Sequence, residues 1–230
     1  MWGYSYRYPI VQAGSDNMTD LPCPLCSDRK TKSHVSGADK RQYYHCSNCG
    51  LIFADPAHSL SAKKEKEAYE THNNSPENRG YVEFLNRAVK PMMYYLNDSM
   101  TGLDYGCGPG PTLSWILKQN GIKCENYDPF FLNIKLKRTY DFIFCTECFE
   151  HFFYPEKDIV KIRDILKPCG LLCVMTNLWT TFDAFRSWHY TRDNTHVSFY
   201  SEETFRFICR QFGFDLLWQD HDRVLILRKR

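Results

Sequence analysis

Eight residues constrain this chain more than any others: Leu103, Asp104, Tyr105, Gly106, Cys107, Gly108, Pro109 and Gly110. An apolar run-up ends in a carboxylate, and three glycines then alternate. Glycines at this spacing let backbone amides approach a ligand closely, at a turn where side chains would collide with it. A helical pattern follows over 112–120, and the start of that helix presents free N–H groups and a positive dipole end. One crossover later, residues 122–127 read as a strand ending at Asp128, where an acid can hold ribose hydroxyls. Strand, glycine turn, helix and strand-end acid together predict a βαβ unit on a parallel sheet.

The chain continues in the same alternation. Strands are predicted over 141–146, 171–175, 215–219 and 223–227. Helices are predicted over 156–166 and 202–212, the latter with Ser201 as N-cap, and Pro168, Cys169 and Gly170 form a turn. A further helix is expected over 79–96, with Tyr81, Phe84, Leu85, Ala88 and Met92 on one face. Between Asp128 and Tyr140 there is too little chain for a helix, a third strand and a loop, so that unit is expected to be shortened.

In the glycine turn, and in the segment Tyr140, Asp141, Phe142, Ile143 through Thr146, Glu147, Cys148, Phe149, Glu150 and His151, the chain resembles the class I S-adenosylmethionine-dependent methyltransferases. The resemblance covers about residues 78–230. It implies a Rossmann-like α/β sheet, mostly parallel with an antiparallel last strand. It implies that Asp104 organises the glycine turn and that Gly106, Cys107 and Gly108 cradle the methionine part of S-adenosylmethionine. Asp128 and Pro129 would hold the ribose side, and Thr146 and Glu147 would form the far wall. Phe130 would cover the adenine. In similar enzymes of the ubiquinone pathway, the acidic residues and histidine of this segment lie near substrate and sometimes near a divalent cation.

Methyl transfer by direct displacement requires alignment of donor and acceptor, and removal or tolerance of a proton. His151 is the foremost candidate base, because an imidazole titrates near neutrality. His189, in an aromatic and polar stretch from Trp188 to Val197, is the second, and Glu147 is the third catalytic candidate. The competing reading has Glu150 and His151 capping a helix. His196 reads as a structural hydrogen-bonding residue. Cys145 and Cys148 read as packing groups, since Cys145 falls inside an apolar strand.

The front of the chain is a separate matter. Cys23 and Cys26 are followed after nineteen residues by Cys46 and Cys49. Two Cys-x-x-Cys knuckles at this separation predict a four-thiolate zinc ribbon with strands over 42–45 and 51–54. His45 adjoins the second knuckle, but four cysteines complete the set. A closed site of this kind folds a module and leaves no open position for chemistry. The expected divisions are a ribbon over 1–55, a helical linker with N-terminal helices over 56–97, and the methyltransferase domain over 98–230. Within the linker, residues 61–70 read as a charged helix, broken at Thr71, His72, Asn73 and Asn74.

Net charge is only +2, so no strong field directs the chain to nucleic acid. The loop between the knuckles is nonetheless basic, with Arg29, Lys30, Lys32, Lys40 and Arg41, which keeps an RNA substrate as the alternative to a small molecule. A non-catalytic binding module of the same fold is a third reading. Aromatic residues reach 16% and cluster at Tyr4, Tyr6 and Tyr8 and over 179–200, where they line either a core or a pocket. No run of about 18 apolar residues occurs, and no leader-like stretch opens the chain. A cytoplasmic location is expected, with eleven cysteines acting as thiols or ligands.

Overall fold

A computed structural model describes residues 21–29, 32–71, 74–136 and 138–230. Tyr4, Tyr6, Tyr8, Lys30, His72 and Asn73, named above, lie outside the described residues. The elements in chain order are β1 (Lys32–Ser36), β2 (Gln42–Cys46), β3 (Ile52–Ala54), α1 (Ala62–Tyr69), α2 (Arg79–Met92), β4 (Thr101–Tyr105), α3 (Thr112–Gln119) and β5 (Lys123–Tyr127). They continue with β6 (Tyr140–Thr146), α4 (Pro155–Ile165), β7 (Leu166–Met175), α5 (Phe182–Ser187), β8 (Ser198–Phe199), α6 (Glu202–Phe212), β9 (Phe214–Gln219) and β10 (Val224–Lys229).

Six strands form the main sheet in the order β5-β4-β6-β7-β10-β9. The pairs β4–β5, β4–β6 and β6–β7 are parallel, and β10 runs antiparallel to both neighbours. This is the mostly parallel sheet with an antiparallel last strand. The expected shortening is also present: among the described residues, 129–139 contain neither helix nor strand, only a bridge from Asp128 to Leu132.

Alternation along the central strands explains why both faces are covered. Phe142 and Phe144 on β6, with Cys173 and Met175 on β7, face α2 and α3 through Leu85, Ala88, Val89, Leu113 and Leu117. Ile143 and Cys145, with Leu172 and Val174, face the opposite side, where Ile159 and Ile162 of α4 and Phe205, Ile208 and Phe212 of α6 complete a second core. The four knuckle cysteines, Leu51 and Phe53 belong to that same second core. Gly102 is required where β4 crosses β6, since a Cβ there would lie 1.9 Å from the Phe142 ring.

The structure departs from the sequence expectations in three places. Helix α2 stops at Met92 rather than near 96: Pro91 cannot donate to the Arg87 carbonyl, and after the Met93 amide reaches Val89 at 2.9 Å the Tyr95 amide turns to Met92 instead of continuing the ladder. The expected turn at 168–170 is instead a distortion inside β7, with Cys169 at φ 59° and Gly170 pressed against Leu166 and the Lys167 carbonyl. Ser198 and Phe199 precede α6 as a strand, not merely as its lead-in. Of the two readings for the aromatic residues of 179–200, core packing holds for Phe185, Tyr190 and Phe199, which are buried against Tyr43, Val35 and Ile52 of the ribbon.

The ribbon sheet has the order β1-β2-β3-β8, so its fourth strand comes from the far side of the chain. Ile52 pairs with Phe199 and Phe53 with Ser198, and the Ala54 amide donates to the Val197 carbonyl at 2.9 Å. No helix among the described residues is long and apolar enough to cross a membrane.

Candidate functional site

The glycine turn leaves the carboxyl end of β4 and enters α3. Gly106 and Gly108 have φ of 85° and 63°, a region that L side chains rarely adopt. A Cβ at Gly106 would lie 2.7 Å from the Cys148 sulfur, whereas at Gly108 the nearest atom would be Asn74 Nδ2, at 3.6 Å. The first glycine is demanded by packing and the second by backbone conformation.

It is Asp128, and not Asp104, that ties this turn down. One oxygen of Asp128 accepts from the Gly108 amide (3.0 Å), and the other accepts from the Phe130 (2.8 Å) and Phe131 (3.0 Å) amides. A carboxylate offers about four lone-pair sites, so three amides leave it room for a further donor. Pro129 lies inside the small loop closed by the Asp128–Leu132 bridge. Cys107 is buried beside Asp104 and Asp128, and burial pushes its thiol up.

Asp104 is buried, and its Oδ1 has no hydrogen-bond partner among the described residues. Burial, and then the charge of Asp128, pushes its carboxyl up to about 7. Across the sheet, Thr146 is buried at the end of β6, and the next residue, Glu147, holds φ of 48° with its amide bonded to the Met175 carbonyl at 2.8 Å. Glu147 Oε1 is likewise unpartnered, and burial followed by the Glu150 charge pushes its carboxyl up to about 9. Glu150 is completely buried; one oxygen accepts from the Tyr190 hydroxyl, and Oε2 has no partner. Two buried carboxylates, Asp104 and Glu150, and the half-buried Glu147, each with an unpartnered oxygen, thus stand at or just beyond the ends of β4 and β6. Such groups are costly unless a cationic or donor-rich ligand meets them.

His151 is half-buried beside this group. Its Nδ1 lies 3.1 Å from the Thr195 carbonyl, and its ring lies 4.9 Å from that of His196. Ligand atoms of Glu150, His151 and His196 fall within 4.8 Å of one another. His196 is a buried hydrogen-bonding residue, with Nδ1 2.8 Å from the Tyr190 carbonyl. Burial, followed by His151, holds it down to about 4. His189 is exposed on the same stretch, and its neighbour Tyr190 is the residue that enters the site. Cys145 and Cys148 are buried packing groups.

Several wall residues escaped the sequence reading. Tyr69 of α1 stands edge-on to His151 at 5.1 Å and lies 5.7 Å from the Phe130 ring, while its hydroxyl donates to the buried Glu65 at 2.9 Å. The spacing of Glu65 and Tyr69, four apart on one helix face, was a signal within an otherwise charged segment. Tyr81 of α2 lies close enough to Asp104 and Glu147 for their charges to raise its hydroxyl, after burial. Asn74 covers the glycine turn: its carbonyl accepts from Thr112 Oγ1 at 2.5 Å, and a Cβ on Gly110 would lie 2.6 Å from it. Two surface clefts, one beside Trp115 between α2 and α3 and one along α6, lie away from these carboxylates.

The four knuckle sulfurs converge within 4.8 Å, with Cys23–Cys49 and Cys26–Cys46 separations of 3.5 Å. Tetrahedral zinc–thiolate bonding requires sulfur–sulfur distances of about 3.8 Å, so the set fits that ion. His45 is no part of this cluster; its ring packs against Trp179 and Phe182. The first knuckle sits on α4, where the Glu156 amide reaches the Pro24 carbonyl, and Gly50 of the second sits on Glu203 and Thr204 of α6.

No curated protein matches the sequence. Solved structures match at low identity. A chain of the complex between the Haloferax volcanii Trm112 methyltransferase activator and a methyltransferase is 13% identical, with a TM-score of 0.54 over 72% of this chain and 97% of its own. An Archaeoglobus fulgidus SAM dependent methyltransferase is 16% identical, with a TM-score of 0.50 over 66% and 96%. Magnesium protoporphyrin IX methyltransferase from Synechocystis with bound SAM is 16% identical, with a TM-score of 0.46 over 66% and 80%. These likenesses concern the fold. The family described as "Methyltransferase domain" matches residues 73–219, from the covering residues before α2 through the glycine turn to the end of β9. A match over more than half the sequence, centred on the turn and carboxylates just described, makes this chain a member of that methyltransferase family.

Proposed function

We propose that this chain transfers a methyl group from S-adenosylmethionine to a small-molecule acceptor by direct displacement, with a structural zinc held by Cys23, Cys26, Cys46 and Cys49. The observation that carries this reading is the unpartnered oxygen of Asp104 beside a glycine cradle. The donor has a cationic sulfonium and an ammonium group, and buried carboxylates complement both charges. Gly106, Cys107 and Gly108 offer backbone to its methionine part, and Asp128 with Pro129 faces its ribose. Thr146 and Glu147 stand at the opposite strand end. When bound, S-adenosylmethionine supplies a methyl group activated by the positive sulfur. The chain's own residues align the acceptor, exclude water and take the acceptor's proton.

His151 is assigned as proton acceptor. A carbonyl oxygen only accepts, so the Nδ1 facing Thr195 carries the proton and Nε2 is the basic nitrogen. Glu147, held protonated near neutrality, donates a hydrogen bond to the acceptor rather than removing its proton. His189 belongs to the rim. The small-molecule reading draws support from the aromatic enclosure by Tyr69, Tyr81 and Phe130. It also draws support from Arg41, whose side chain is only 8% exposed and so is withdrawn from any surface that could meet phosphates.

Titration calorimetry with S-adenosylmethionine tests the donor site. The wild-type chain is expected to give heat, and Asp128→Ala to weaken binding at least tenfold, about 1.4 kcal/mol. No heat from the wild type would overturn the reading. With the acceptor in hand, His151→Ala lowers kcat and leaves donor affinity intact, whereas His189→Ala moves KM for the acceptor. Steep salt dependence of RNA binding would instead favour an RNA substrate.

A further inference from the structure

Arg41 lies on the finger between the two knuckles, about 150 residues away in sequence from the groups it touches. Its Nη2 donates to the carbonyls of Thr191 (2.6 Å) and Asp193 (3.0 Å). Its Nη1 donates to the carbonyls of His196 (2.7 Å) and Asn194 (3.3 Å). Its Nε donates to Asp39 Oδ2 at 2.6 Å, and Asp39 is fixed in turn by the Tyr43 hydroxyl at 2.8 Å. A guanidinium has five N–H donors, and here all five have acceptors. Four of these cross to the distant loop, and the Ala38 amide adds a further tie across the gap, to Thr191 Oγ1 at 3.1 Å.

The carbonyls that Arg41 leaves alone are as informative as those it holds. Thr195 directs its carbonyl to His151 Nδ1, and Tyr190 directs its carbonyl to His196 Nδ1. One guanidinium thus holds the carbonyls of Thr191, Asp193, Asn194 and His196, while two imidazoles take those of Thr195 and Tyr190. The peptide plane that carries the Thr195 carbonyl also carries the His196 N–H, which donates at 3.1 Å to the Asp193 carbonyl that Arg41 holds; because that plane is rigid, anchoring its N–H turns the Thr195 carbonyl the other way, toward His151. Lysine cannot reproduce this, because an ammonium has three donors and no planar fork.

We propose that Arg41 is a positioning residue for His151: through the 191–196 carbonyls it holds His151 in the Nδ1-protonated tautomer. The functional weight of this rests on the assignment of His151 as proton acceptor, because only that tautomer leaves Nε2 free to accept. It also gives the ribbon a task beyond folding, since the finger presents the guanidinium that gathers four carbonyls of this loop.

The test is long-range proton–nitrogen spectroscopy of the histidine rings in the full-length, zinc-loaded chain, with the His151 signal assigned by its loss in His151→Gln. The wild type is expected to show Nδ1 protonated and Nε2 bare. Arg41→Lys keeps the charge and stem, so it is expected to retain zinc content and S-adenosylmethionine affinity. It should lower the ratio of Nδ1–H to Nε2–H forms of His151 at least about tenfold, as 1.4 kcal/mol of lost bias requires. Arg41→Ala should do the same, and Arg41→Lys supplies the reading if Arg41→Ala does not fold. His151 signals in Arg41→Lys that superimpose on the wild type overturn the proposal. The two claims fail separately: a normal rate in His151→Ala would remove the base and leave the tautomer result standing.

Discussion

Asp104 and His196 show how single residues set the pH range of this fold. Burial pushes Asp104 up to about 7, so the folded chain prefers its neutral form. That preference is fully present below the ordinary carboxyl value of 3.8 and is lost as pH rises toward 7. Asp104→Asn is therefore expected to raise stability at pH 8 by on the order of a few kcal/mol, read as a higher melting temperature, while weakening donor binding in calorimetry. His196 has the opposite sign. Its folded value of about 4 lies below the ordinary 6.5, so its contribution is present above 6.5 and lost as pH falls through about 4. Melting curves of His196→Gln should lose less stability than the wild type between pH 6.5 and 4. A parallel decline in the two proteins would show that this imidazole does not control acid unfolding.

At the level of elements, the strand–glycine-turn–helix was legible because its chemistry is local. Gly106 and Gly108 announce a backbone conformation that few other residues tolerate. The capped start of α6 at Ser201 was legible for the same reason: the cap bonds to residues three positions away. What the sequence did not disclose depends on distant pairing. Nothing near Ser198 tells that it will extend the ribbon sheet, and nothing near Arg41 tells that four of its five donors will find a loop 150 residues on. The turn itself yields a sharp experiment. Gly108→Ala meets no atom closer than 3.6 Å, so it costs only the left-handed backbone penalty, roughly 1–2 kcal/mol. It should fold and lose donor affinity, whereas Gly102→Ala, driven into the Phe142 ring, should fail to fold. Circular dichroism and calorimetry on the pair separate a binding glycine from a packing one. The segment from Asn74 to Asn78 lies over this turn, so hydrogen exchange there should slow on donor binding, and unchanged rates would exclude it as a cover.

Across the whole molecule, the ribbon and the main sheet share one core. Cys23, Cys46 and Cys49 are buried with Tyr200, Phe205 and Phe149, and the Val197 amide bonds to the Glu150 carbonyl at 2.8 Å, linking β3 through β8 to the acidic turn. Cys46→Ser, which removes one thiolate of the proposed zinc set, is thus expected to speed hydrogen exchange over 189–200 well before it affects β4 and β6. Equal acceleration in both regions would mean that the two sheets unfold as a unit. The borrowed strand also bears on transplantation. A cassette cut after residue 55 and grafted onto another fold would arrive with a bare sticky edge on β3 and an arginine fork with nothing to grip. Only a recipient that supplies its own counterpart of Ser198 and Phe199 could seat this front end.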